Sequence, residues 1–62
     1  MGAWARSVRM ALKLTQQELA SMVGVSQEEV DLFEHNLPVS VKTELKIIRE
    51  LWAARNVLES LQ

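Results

Sequence analysis

Apolar residues recur along most of this chain at spacings of three and four, which is the helical period. Trp4, Val8 and Ala11, with Leu12 adjacent, place one apolar face on a helix predicted over residues 3–13. Leu19 and Ala20 turn inward from a short second helix over 16–22, and Val30 and Phe33 from a third over 27–35. Residues 41–61 contain neither glycine nor proline. Two apolar stripes run along that segment. One is Val41, Leu45, Ile48 and Trp52; the other is Ile47, Leu51, Ala54, Leu58 and Leu61, spaced 4-3-4-3. The pattern predicts one long C-terminal helix, or two joined by a slight bend. No stretch alternates apolar and polar residues as a half-buried strand does. The expectation is an all-α, compact four- to five-helix domain whose core contains Val8, Leu12, Leu19, Ala20, Val30, Phe33, Leu45, Ile48 and Leu51.

The punctuation between these segments is equally specific. Thr15-Gln16-Gln17-Glu18 and Ser26-Gln27-Glu28-Glu29 both read as capping boxes. In each, a hydroxyl caps the third residue's N–H, and that residue's carboxylate reaches back to the capping N–H. Gly24 stands where a left-handed residue ends the second helix. Asn36 tolerates the same conformation after the third, Pro38 prevents continuation, and Ser40 caps the last.

With 62 residues the chain makes one domain. A domain of about 60 residues buries only about 60% of its unfolded surface, so its stability is marginal. No cysteine is present to add a disulfide or a thiolate metal site. The hydrophobic fraction of 48% suits a folded core. No apolar run approaches the ~20 residues that span a bilayer, and no secretion signal is evident at the N-terminus. A cytoplasmic location is therefore the default expectation.

The net charge of −1 is unevenly spread. Residues 1–24 carry +2, from Arg6, Arg9 and Lys13 against Glu18. Residues 25–36 carry −4, from Glu28, Glu29, Asp31 and Glu34. The remainder carries +1. No Ser/His/Asp or Cys/His set and no glycine-rich phosphate loop is evident, and the carboxylates fall on a helix face expected to be solvated. The sequence thus predicts no enzyme, no cofactor, no metal and no small-molecule substrate.

Two short helices joined by a glycine-containing turn form a helix-turn-helix unit. Residues 14–26, LTQQELASMVGVS, resemble the core of the lambda-repressor-like, or Xre-type, DNA-binding domain found in Cro and phage repressors. Ala20 stands where that family needs a small residue, Gly24 at its turn, and Val30 and Phe33 at its apolar anchors. Val8-Arg9-Met10-Ala11 resembles its first helix and residues 40–51 its fourth, so the likeness covers about residues 5–51.

The resemblance implies sequence-specific binding of duplex DNA by a transcriptional regulator, with the third helix lying in the major groove. Gln27 matches the first base-reading position, where its amide suits adenine. Glu28 is next and could accept from a cytosine amino group, or act only on the helix dipole. Leu32, one turn further, would meet a thymine methyl. Gln16 matches a phosphate-binding position at a helix N-terminus; Ser26, His35 and Lys42 are further phosphate candidates. Arg9 and Glu34 match two family positions that form an ion pair. The family's usual two-fold operators imply a homodimer through the C-terminal helix. Its stripe from Ile47 to Leu61 has a seam's repeat, unless that helix folds back on its own domain.

Several positions depart from the family pattern. Lys13 and Asn36 replace frequent glycines, Glu44 replaces an apolar residue, and Trp52 replaces the glycine that often ends the fourth helix. The third helix carries four acidic residues and no Lys or Arg. The competing reading is therefore a fold of this type repurposed as a protein-protein interaction module without DNA binding.

Overall fold

The computed structural model describes residues 1–61. Four helices follow one another: α1 (Gly2–Ala11), α2 (Gln16–Val23), α3 (Gln27–Glu34) and α4 (Val41–Ser60). No strand occurs among the described residues. The last segment is one unbroken helix of 20 residues rather than two. No described helix is long and apolar enough to cross a membrane.

Both capping boxes form reciprocally. Thr15 accepts from the Glu18 N–H while Glu18 accepts from the Thr15 N–H, and Ser26 and Glu29 repeat the arrangement. Ser40 caps α4 by accepting from the Thr43 N–H. At the other ends, left-handed residues close the helices. Gly24 has φ 77° and leaves open space where a Cβ would be. Asn36 has φ 60°, and the Leu37 N–H donates to the Leu32 carbonyl. Lys13 has φ 59°, with its own N–H on Met10 and that of Leu14 on Arg9. This pair of bonds is the Schellman closure. It ends α1 at Ala11, two residues before the predicted boundary at 13.

The core consists of Ala5, Val8, Leu19, Ala20, Val30, Phe33, Ile47 and Leu51. Leu45, expected inside, is 45% exposed, and Leu12 and Ile48 are only half-buried at its edge. Helical geometry explains the exchange. Each residue turns about 100°, so Leu45 lies about 200° from Ile47 and cannot share its side of α4. The helix buries the Ile47–Leu51 stripe, continues it with half-buried Ala54 and Leu58, and leaves Leu61 exposed. On α1 the inward face is Ala5 and Val8, with Trp4 beside them and Ala11 out in solvent.

Gly2, outside the predicted first helix, is buried where α1 begins against the end of α3. Its N–H donates to Asn36 Oδ1 at 3.0 Å. A Cβ on Gly2 would lie 2.5 Å from the Glu34 carbonyl oxygen and 2.6 Å from that of Phe33. Only glycine permits this approach. Trp4 and Trp52 tie α1 to α4, with ring centroids 6.3 Å apart and planes tilted by 38°.

Candidate functional site

α2 and α3 are joined by Gly24, Val25 and Ser26, and the left-handed glycine turns the chain without steric cost. The two helices present their first turns to one shallow depression lined by Gln16, Gln27, Glu28 and Asp31. Gln27 and Glu28 are exposed there, as the first two residues of α3. Leu32 is half-buried, so less of it is available to a ligand than an outward position offers. His35 is exposed at the far end of α3, its Nδ1 2.8 Å from the Asp31 carbonyl oxygen and 3.4 Å from Asp31 Oδ1. Lys42 is exposed in the first turn of α4.

Behind the depression lies a continuous polar chain. Arg9 donates through Nε to Glu34 Oε2 at 2.6 Å and through Nη2 to Glu34 Oε1 at 3.0 Å. Its Nη1 donates to the Leu14 carbonyl at 2.8 Å. The hydrogen bond to Glu34 raises the Arg9 pKa further, against a smaller opposing effect of burial. Glu34 Oε1 also accepts from Gln16 Nε2 at 3.1 Å, and the same nitrogen donates to Asp31 Oδ1 at 3.1 Å. The Gln16 amide, matched by resemblance to a phosphate-binding position, is thus engaged by two carboxylates in the free chain. Spacing alone gives no sign of this, because it depends on α2 and α3 docking against each other.

Ser26 is likewise occupied. Its hydroxyl accepts from the Glu29 N–H at 3.1 Å and donates to Glu29 Oε1 at 3.2 Å. Glu29 reaches further than its capping role predicts. Its Oε2 accepts from the Thr43 hydroxyl at 2.8 Å, and Thr43 is itself bonded to Ser40 at the start of α4. One carboxylate therefore sits between two helix N-termini, where partial positive charge favours it. The Ser26 N–H, then the Thr43 hydroxyl, hold Glu29 below the usual carboxylate range. Glu18 is lowered in the same way by the Thr15 N–H and then its hydroxyl.

The surface so formed combines amide and backbone donors with exposed carboxylates. Among the described residues no group of three metal-ligating side chains converges on it or elsewhere. The chain matches no family model, and no curated protein or solved structure matches it.

Proposed function

We propose that this chain is a lambda-repressor-like helix-turn-helix domain that binds duplex DNA as a transcriptional regulator, with α3 in the major groove. The observation that carries the reading is the shared opening of the α2 and α3 N-termini, with Gln27 and Glu28 free at its edge. Unpaired N–H groups and helix dipoles at such ends favour phosphate, and an amide at the first position of α3 suits adenine. The likeness of residues 14–26 to the family supports the same assignment. Arg6, Lys13 and Lys42 are exposed and would offset the acidic charge of α3 where they approach the backbone.

The test is fluorescence anisotropy of the whole chain against duplex pools and the DNA flanking its gene, at increasing salt. A DNA binder loses affinity linearly in log–log form, with a slope of roughly −0.9 per phosphate neutralised. Failure to bind any duplex at low salt rejects the reading. The second reading, a protein-interaction module on the same fold, is favoured by one specific observation: Gln16 is held by carboxylates, and Glu28 and Asp31 are exposed on the face that would meet phosphates.

A further inference from the structure

The end of α3, the loop after it, the first turn of α4 and the start of the chain border an open groove of about 270 Å³. Phe33, Leu37, Pro38 and Val39 supply apolar lining, completed by Met1 and by the side chain of Glu44. Asn36 also borders the groove, and its Oδ1 accepts from the Gly2 N–H, which holds the start of α1 beside the loop. Leu37 is 52% and Met1 65% exposed, so apolar surface extends beyond the groove itself.

Glu44 is half-buried in this lining and has no ion-pair partner among the described residues. Its helix neighbours three and four residues away are Ser40, Val41, Ile47 and Ile48, none of them charged. Lys42 and Lys46, two residues away, lie about 200° round the helix, and Lys46 acts on Glu29 instead. A carboxylate set against apolar surface needs a cation once a partner displaces its water.

We propose that this groove is a docking site for a protein segment that carries an arginine between apolar side chains. The arginine stem packs on Leu37, Pro38 and Val39, while its guanidinium takes the Glu44 carboxylate in a two-pronged bond. The flanking apolar side chains cover Leu37 and Met1. This two-part chemistry selects the occupant. Duplex DNA or an anionic lipid surface brings like charge to Glu44, and a wholly apolar segment buries the carboxylate unpaired. A second copy offers no match. Arg9 is held by Glu34 and Arg55 by Glu59, and Arg6 and Arg49 stand beside Ser7 and Glu50. The groove lies at the opposite end of α3 from Gln27 and Glu28, so the proposal stands independently of DNA binding.

Amide NMR titration of the full, isotope-labelled chain tests the site, with acetyl-Leu-Arg-Leu-amide as the probe and acetyl-Leu-Gln-Leu-amide as its neutral counterpart. The arginine peptide is expected to shift the amides of Leu37, Val39 and Glu44 saturably, with a Kd of about 1 mM. The glutamine peptide is expected to bind about five- to tenfold more weakly. Glu44→Gln, which leaves the core untouched, is expected to bind both peptides equally, with an unchanged circular-dichroism spectrum. Leu37→Ser, at an exposed position, is expected to weaken both. No saturation by about 10 mM, shifts that centre on Glu28 and Asp31 instead, or an arginine preference that survives Glu44→Gln overturns the proposal.

Discussion

The guanidinium of Arg9 grips the carboxylate of Glu34 in a two-pronged bond, 2.6 Å from Nε and 3.0 Å from Nη2, joining α1 to α3. The Glu34 side chain is only 1% exposed. A carboxylate so enclosed depends on its partners, because burial penalises the charged form. Gln16 supplies one further donor, but among the described residues only Arg9 supplies the compensating charge.

Arg9→Met is therefore expected to destabilise the fold by about 3–5 kcal/mol, as for removal of one member of a buried pair. Urea denaturation measures this. A loss under about 1 kcal/mol would mean that the pair behaves as a surface contact. Arg9→Lys should recover only part of the loss, since an ammonium cannot reproduce both prongs and the bond to Leu14.

A second expectation concerns Gly2, whose missing side chain lets α1 rest on the last carbonyls of α3. Gly2→Ala places a methyl 2.5 Å from the Glu34 oxygen, and backbone rather than a flexible side chain would have to move. The cost should be about 1–3 kcal/mol, typical of overpacking, although alanine is the better helix former. Gly24→Ala meets no atom, and its penalty of about 1–2 kcal/mol comes from the left-handed backbone alone. A thermal melt in which Gly2→Ala is neutral would remove the close approach as a constraint.

The features legible in the sequence are those fixed within a few residues. Thr15 to Glu18, Ser26 to Glu29 and Gly24 each form the local structure that their residue types dictate, and Asn36 adopts the left-handed backbone that its side chain tolerates. The rotation of α4 is not local. Leu45 and Ile47 are both apolar and both belong to regular stripes, and only packing against α1 to α3 decides which is buried. The same holds for the site. Exposure of Gln27 and Glu28 follows from their place at a helix start, whereas the diversion of Gln16 to Asp31 and Glu34 requires α2 and α3 to be docked. The Glu29–Thr43 bond, linking two caps across 14 positions, has no periodic signature at all.

That link makes stability sensitive to acid. The Ser26 N–H holds the Glu29 carboxyl, and the Thr15 N–H that of Glu18, below the usual carboxylate range in the folded chain. A depressed carboxylate contributes stability above its unfolded pKa, and the contribution is lost as pH falls through the folded value. The urea midpoint should therefore hold between pH 7 and about 5 and decline below that. Glu29→Gln should be less stable than wild type at neutral pH and should lose less on acidification. Parallel declines for the two proteins would show that Glu29 does not report the coupling of α3 to α4.

The last expectation rests on the proposed function and concerns how tightly the α2–α3 surface would hold DNA. Glu28 and Asp31 are exposed beside the depression where phosphates and base edges would come, and Asp31 also accepts from the Gln16 amide. A carboxylate brought against phosphates loses hydration and gains repulsion, unless it accepts from a cytosine amino group. Wild-type binding is accordingly expected to be weak. Glu28→Gln should tighten binding to all duplexes by about 1 kcal/mol or more, with little change in preference. If Glu28 instead reads cytosine, the variant binds its own site worse and loses discrimination at one base pair, by about 1–3 kcal/mol. Asp31→Ala should act uniformly over sequences, since it removes a charge and releases one of the two carboxylates that occupy Gln16. Gln16→Ala on that background then separates the effects. If the freed amide contacts phosphate, the gain from Asp31→Ala is partly lost; if only the charge mattered, the gain persists. Anisotropy titrations of the four proteins at two salt concentrations distinguish these outcomes, and absence of binding by all of them leaves the acidic face of α3 as a surface for protein rather than for DNA.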